Sequence, residues 1–188
     1  MLSKEFVTSK EPIVPSTLKL MEARGIVNQS GDQVGVVSGR PFALLLSMVW
    51  PFVDGYFVAC VGLLALLPSG RVPDLELKSR MMALAETLYH DGVIAHYESC
   101  SAGTLANALA VFESWNMIRT VKEELPKLPM QKTSEFRRMV SLVAPFDQRE
   151  VLMGMVAKID VLRKKGINEL KLGYGAMAVA KFPVLAKL

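Results

Sequence analysis

Apolar residues recur at helical spacing along most of the chain. A helix over 74–90 is predicted from one apolar face, made by Leu77, Met81, Leu84, Ala85 and Leu88. A further helix is capped by Ser101 and presents Leu105, Ala108, Leu109 and Phe112. Shorter helical patterns cover 16–24, 133–143 and 148–165. The pattern therefore predicts a mainly α fold.

Short apolar strands interrupt these helices. Residues 26–27 and 34–37 flank a polar turn and predict a hairpin, and residues 117–121 predict another strand. The segments LKLMEARGIVNQ and LAVFESWNMIRT each set a helix end against a short strand, with Gly25 and Asn116 at the turn. We therefore expect a helical domain carrying small winged-helix-like β-hairpins.

The most apolar stretch, residues 41–67, is long enough for a transmembrane helix. Pro51 and Asp54 lie near its middle, and an ion in hydrocarbon costs about 2.5 to 3.5 kcal/mol on insertion scales. We therefore expect two segments, 42–50 and 52–66, that meet at Pro51 and are buried inside a helical domain.

Proline and glycine residues mark the predicted boundaries between segments of the chain. We predict a helical domain over 1–125 with an N-terminal helix–hairpin unit, a C-terminal helical pair over 126–166, and a flexible tail over 167–188. Residues 1–15 are polar and contain proline, unlike a signal peptide, and suggest a start inside a longer protein.

Charge and composition narrow the possible partners. The chain has 188 residues, 51% hydrophobic residues and a net charge of +4, which suit an anionic membrane surface or acyl-CoA phosphates. Its Lys and Arg residues are scattered rather than aligned, so no nucleic-acid partner is expected.

The sequence contains no recognisable catalytic or metal-binding pattern. His90 and His96 lack the spacing of a helical zinc pair. On a strand His96, Glu98 and Cys100 would share a face, but no oriented base or oxyanion site accompanies them. Cys60 and Cys100 have no paired spacing, which suits a compartment where thiols stay reduced. We predict no catalytic, metal or cofactor site in this chain.

Two charged features call for partners or solvent. Asp54 lies within an apolar run and should be paired, hydrogen-bonded or turned to water, since a bare buried carboxylate is costly. The cluster 163–165 (Arg-Lys-Lys) at a helix end is interpreted as a solvated last turn, with contact to a lipid phosphate or a partner as the alternative.

Two segments carry a family resemblance: PFVDGY at 51–56 and ETLYHDGVIAHYESCSAGTLANALAVFESWNMI at 86–118. With these segments the chain resembles, over about 40–121, the C-terminal region shared by glycerol-3-phosphate and dihydroxyacetone-phosphate acyltransferases. The residues that match the family pattern are Pro51, Phe52, Asp54, Tyr56, Glu98, Ser99, Asn107, Ala108 and Leu109.

The resemblance implies an acyltransferase whose catalytic motif lies elsewhere. These enzymes use a His-x4-Asp motif, but Ala95 follows His90 at that distance and Ser101 follows His96. The implied role is a non-catalytic accessory domain that packs on an acyltransferase catalytic domain. The parent enzyme would bind acyl-CoA and dihydroxyacetone phosphate and would act in ether-lipid or glycerolipid synthesis.

The last three residues, Ala186, Lys187 and Leu188, differ from the Ser-Lys-Leu peroxisomal address only in the first. With the resemblance, they predict recognition by the import receptor and a place at the lumenal membrane surface of a peroxisome or glycosome. The alternative is a stand-alone, membrane-associated adaptor or scaffold without enzymatic activity, anchored by residues 42–67.

Overall fold

A computed structural model describes residues 13–37, 39–124 and 136–163. The chain divides into two compact units, Met1–Val49 and Trp50–Leu188, which we call the N-terminal and C-terminal units. Within its described part the fold is mainly α-helical with small antiparallel sheets, as predicted.

The N-terminal unit begins with a helix followed by a hairpin. Helix α1 (Ile13–Ala23) precedes strands β1 (Val27–Ser30) and β2 (Gln33–Val36), which pair in antiparallel register. Gly31, with φ of +61°, occupies the tight turn between the strands. The predicted hairpin is confirmed.

Helix α2 (Arg40–Gly62) contains Pro51 and continues through it, and the division between the units falls just before this proline. Residues 57–61 are fully buried in the C-terminal unit, as expected for the second segment. The first segment was expected to be buried, and this is wrong, because its apolar side chains are exposed: Leu44, Leu45, Met48 and Val49. Among the described residues, Arg40–Ala65 is the one helix long and apolar enough to cross a membrane, judged by length and composition.

The C-terminal unit continues from α2 through a 3-10 turn (Leu63–Ala65) and a short helix α3 (Leu66–Ser69). The remaining elements are β3 (Arg71–Pro73), α4 (Asp74–His90), a 3-10 turn (Tyr97–Cys100), α5 (Ala102–Ser114), β4 (Ile118–Glu124), β5 (Phe136–Leu142) and α6 (Arg149–Leu162). The antiparallel sheet has the order β3-β5-β4. Apart from the short α3 and the last helix α6, the order is helix, strand, two helices and two strands with the last strand in the centre of the sheet, which is the order of elements in a winged helix.

The core of this unit lies where the sequence pattern predicts it. The apolar face of α4 is buried against the second half of α2 and against α5, whose own buried residues are Leu105, Ala108, Leu109 and Phe112. Ser101 caps α5, its hydroxyl accepting a hydrogen bond from the Thr104 N–H at 3.1 Å. Both predicted helices and the predicted cap are confirmed.

The predicted helical pair requires a correction. The segment 133–143 was predicted to be helical, yet residues 136–142 form β5, which pairs with β3 through Val72 and Val140 and with β4 along its length. Apolar residues in so short a run fit either periodicity, and the long-range pairing decides the outcome. The second predicted helix is confirmed as α6. The predicted domain bounds stay predictions, and the tail 167–188 lies outside the described residues.

The two sequence segments with similar patterns adopt the same turn. Gly25 follows α1 with φ of +65°, and Asn116 follows α5 with φ of +55°. In both cases the next residue donates its backbone N–H back to the helix at 2.9 Å (Ile26 to the Met21 carbonyl, Met117 to the Phe112 carbonyl). Each helix therefore ends in a left-handed residue that satisfies its last carbonyls.

A glutamate side chain reinforces each turn. Glu22 Oε1 accepts a hydrogen bond from the Gln29 N–H at 3.3 Å, and Glu113 Oε1 accepts one from the Thr120 N–H at 3.1 Å. Both glutamates lie in the last turn of a helix and reach the same position of the following strand. The internal similarity in sequence thus corresponds to a repeated structural unit, α1–β1–β2 and α5–β4–β5.

Candidate functional site

The most unusual polar group of the C-terminal unit is Asp54, in the buried part of α2. Its side chain is 1% exposed. Asp54 Oδ2 lies 2.9 Å from His96 Nδ1 and accepts a hydrogen bond from the Ala95 N–H at 3.4 Å. The other oxygen, Oδ1, lies 3.5 Å from Arg163 Nη1 without forming a hydrogen bond. The expectation that Asp54 needs partners is thereby met by His96 and Arg163.

Arg163 follows α6 and is buried. Its Nε and Nη2 donate to Asp160 Oδ1 at 3.0 and 2.8 Å, and its Nη1 donates to the Val93 carbonyl at 3.1 Å. The guanidinium carbon lies 3.9 Å from the centre of the Phe57 ring, a cation–π contact. The solvated last turn predicted here is wrong for Arg163, because the carboxylates of two helices and a loop carbonyl draw it inward. Residues 164 and 165 lie outside the described residues.

This buried-ion cluster, Asp54, His96, Asp160 and Arg163, joins three parts of the unit. It links the middle of α2, the segment 93–96 that follows α4, and the end of α6. A buried charge costs several kcal/mol unless it is paired, so each member depends on the others. Sequence spacing could not reveal the cluster, since its members lie far apart in the chain; the one signal was a carboxylate within an apolar run.

An aspartate that orients a histidine is also an element of general-base catalysis. His96, however, is only 21% exposed, and the second oxygen of Asp54 faces the guanidinium of Arg163. Two cavities lined by described residues, of about 610 Å³ and about 70 Å³, are formed by residues outside this cluster. The geometry therefore suits a structural connection between helices better than binding of a substrate.

The residues that carry the family resemblance come together from both segments. Asn107 Nδ2 donates a hydrogen bond to Tyr56 Oη at 3.2 Å. The Glu98 carbonyl accepts one from Thr104 Oγ1 at 3.1 Å, and a side chain in place of Gly55 would collide with that threonine. Ser99, Ala108 and Leu109 are buried, whereas Pro51 is partly buried and Phe52 is exposed. Residues 186–188 lie outside the described residues.

The cysteines are unsuited to nucleophilic chemistry. Burial raises the pKa of Cys60 to about 12. Burial, followed by the carboxylates of Glu86, Asp54 and Glu98, raises the pKa of Cys100 to about 11. Both thiols stay protonated near neutral pH, and the thiolate is the reactive form. His96, Glu98 and Cys100 do not share a strand face, because residues 97–100 form a 3-10 turn.

The described residues also bear on metal binding. No group of three His, Cys, Asp or Glu side chains that could hold a metal ion occurs among the residues that the structure describes. The buried-ion cluster has instead an arginine at the place where a cation would neutralise the carboxylates.

Comparison with known proteins gives a family match. Residues 1–121 match the family model described as the glycerol-3-phosphate acyltransferase C-terminal region. No curated protein matches the sequence significantly. The matched range contains both segments on which the resemblance rests, including the contact between Asp54 and His96 and the one between Tyr56 and Asn107. The chain therefore belongs to the family of glycerol-3-phosphate acyltransferase C-terminal regions.

Proposed function

We propose that this chain is the non-catalytic accessory part of an acyltransferase that moves a fatty acyl group from acyl-CoA to dihydroxyacetone phosphate. Glycerol 3-phosphate is the alternative acceptor. The main support for this proposal is that residues matching the family pattern make contacts inside the domain. Asp54 is paired inside the domain and Tyr56 bonds to Asn107, so these residues hold the domain together. The chain also lacks the His-x4-Asp motif.

The exposed apolar face of α2 supports a peripheral contact with a membrane. Leu44, Leu45, Met48 and Val49 are exposed on the part of the helix that begins at Arg40. This part, up to residue 52, is about 20 Å long, whereas a bilayer core is about 30 Å thick. The remainder of α2 is packed in the C-terminal unit and carries buried Asp54. We therefore propose that the apolar face lies in the membrane surface and does not cross it.

The terminal tripeptide supports a place on the lumenal side of a peroxisomal or glycosomal membrane. In a polypeptide that ends with them, Ala186, Lys187 and Leu188 provide the small, basic and leucine side chains that an import receptor would bind together with the terminal carboxylate. A reporter that ends in residues 167–188 should enter the organelle, and removal of Leu188 should abolish entry. Cytosolic retention of both reporters would contradict the proposed location.

The supporting role is tested in the complete enzyme. An enzyme that ends before residue 50, and therefore lacks the C-terminal unit, should transfer acyl groups at least about tenfold more slowly while its catalytic domain stays folded. The loss is expected because a contact that positions the catalytic domain is removed. Assays with dihydroxyacetone phosphate and with glycerol 3-phosphate then establish the acceptor. Undiminished transfer by a truncated enzyme of normal stability would refute the accessory role.

The rival proposal, a membrane adaptor without an enzyme, rests on the same apolar face. Both proposals expect the isolated chain to float with anionic vesicles, so co-purification with acyltransferase activity separates them. Tight binding by a chain that never co-purifies with acyltransferase activity would favour the adaptor. The double substitution Leu44→Glu and Met48→Glu should abolish any vesicle binding. A matched control, Leu75→Glu with Val161→Glu, changes two residues of the C-terminal unit that are 81% exposed and should not affect it.

A further inference from the structure

The repeated unit extends through the whole hairpin. Val27 pairs with Val36 in the first copy, and Ile118 pairs with Leu142 in the second. In both copies the residue after the second strand donates its N–H at 3.0 Å to the residue before the first strand (Val37 to Ile26, Val143 to Met117). The two hairpins therefore have the same register, and the four paired positions of the first hairpin each have a structural counterpart in the longer second hairpin.

Only in the second copy do described residues pair with the outer strand edge and cover the apolar helix face. There the outer edge of β5 pairs with β3, through Val72 and Val140. The helices before and after β3 cover the apolar face of α5 and of the sheet. In the first copy, β2 pairs with β1 alone as far as the described chain goes. The edge of β2 that corresponds to the β3-binding edge of β5 thus lacks a partner there.

The same difference is seen in the side chains. Val14 in α1 corresponds to Leu105 in α5, and their exposures are 69% and 0%. Val34 in β2 corresponds to Val140 in β5, with exposures of 45% and 1%. Val14 and Val34 thus occupy two positions that belong to the core in the second copy, but the described residues leave both side chains uncovered. Together with the open strand edge, they mark the surface where a complementary half-domain would lie.

We infer that α1, β1 and β2 form the second half of another winged helix, completed by a helix–strand–helix segment of the acyltransferase polypeptide. This inference rests on the proposed function. The segment would resemble residues 52–90 of this chain: an apolar helix, a strand of about three residues and an amphipathic helix. Its strand would pair with β2 as β3 pairs with β5, and its helices would cover Val14 and Val34.

Two other occupants fit the surface less well. A lipid surface could cover Val14 and Val34 but offers no hydrogen-bond partners to an open strand edge. A second copy of the chain could offer its own β3 and α4 only by exposing Val72, Leu77 and Met81, which are buried in its own core. Edge-to-edge pairing of two β2 strands would leave α1 uncovered. A protein segment with the pattern of the first half of a winged helix supplies both a strand that pairs with the edge of β2 and helices that cover the apolar side chains.

Hydrogen exchange at single amides tests this inference. The Val34 and Val36 amides should exchange at least about 100-fold more slowly in the complete acyltransferase than in the 188-residue chain alone. The Val140 amide, their counterpart in the completed copy, should be protected in both samples and provides the internal control. A photo-crosslinking residue at position 34 should join an acyltransferase segment in which a short strand lies between two apolar helices.

The outcomes separate the inference from the proposed function. Fast exchange at Val34 and Val36 in an enzyme whose activity depends on residues 50–163 would overturn the inference alone. A cross-link to a second copy of the chain or to lipid would overturn the occupant. Slow exchange with a cross-link to a protein that transfers no acyl group would overturn the occupant and contradict the proposed function. Val34→Lys should abolish the slow exchange at Val36, whereas Gln33→Lys, on the opposite strand face, should preserve it.

Discussion

The units α1–β1–β2 and α5–β4–β5 have the same local structure and very different surroundings. Each has a left-handed turn, a glutamate that bonds to the following strand, and a hairpin in the same register. In the C-terminal unit this framework is the centre of a core; in the N-terminal unit its apolar residues are largely exposed. Local sequence therefore specifies the turn and the hairpin, whereas a core forms only where further helices cover them.

The largest expected difference between the copies is in the stability lost on mutating Phe112 of α5 and its counterpart in α1. Phe112 is fully buried, so Phe112→Ala should lower the free energy of unfolding by about 3 to 5 kcal/mol. Its counterpart Met21 is only partly buried, and Met21→Ala should cost less than about 1 kcal/mol in the isolated chain. Urea denaturation of both variants measures this. Equal losses would mean that the first copy already has a complete core.

The next effect concerns the helix that follows the second hairpin. Arg163→Ala removes the partner of buried Asp54 and of Asp160, and it should cost about 3 kcal/mol because uncompensated charge stays buried. Thermal and urea denaturation of the C-terminal unit measure the loss. Arg149→Ala, an exposed residue at the start of α6, is the control and should stay within about 0.5 kcal/mol of the parent. A cost below about 1 kcal/mol for Arg163→Ala would contradict the role of the buried-ion cluster.

Alkaline pH should affect the C-terminal unit, which contains both cysteines. Their folded-state pKa values are raised above the ordinary value of 9.0, to about 12 for Cys60 and about 11 for Cys100. The folded state therefore binds more protons above pH 9, and stability falls as pH rises from about 9. The Cys60 thiol alone should lower the free energy of unfolding by roughly 1.4 kcal/mol between pH 8 and 10. Because Cys100 should contribute a similar loss, the slope of the free energy of unfolding against pH should fall by about half in Cys60→Ala, and an unchanged slope would exclude the Cys60 thiol as a source.

The smallest effect tests whether the two turns are interchangeable. Ala at either left-handed position should cost about 1 kcal/mol, since a side chain without hydrogen-bonding ability disfavours positive φ. At Gly25 no atom lies within 4 Å of an added Cβ, so this cost is conformational rather than steric. Gly25→Asn and Asn116→Gly should each change stability by less than about 0.5 kcal/mol, as denaturation midpoints will reveal. A large loss on exchanging them would show that the turns differ.

Much of the fold was predictable from the chain, and the candidate site was predictable only in part. The helices at 74–90 and 101–114, the cap at Ser101 and both turns followed from periodicity and local chemistry. The need of Asp54 for partners also followed, because a bare buried carboxylate is so costly. The identity of those partners did not, since Arg163 looked like any cation at a helix end.

The local elements, the two matched turns and the membership of an acyltransferase family could be predicted from the chain alone. Three features became clear only from the folded protein: residues 136–142 form a strand, Arg163 points inward, and one half of α2 is buried while the other is exposed. The two groups differ in how far apart in the chain the interacting residues lie. Turns and helix caps depend on neighbours a few residues apart, whereas strand pairing, burial and ion pairing depend on segments that are distant in the chain.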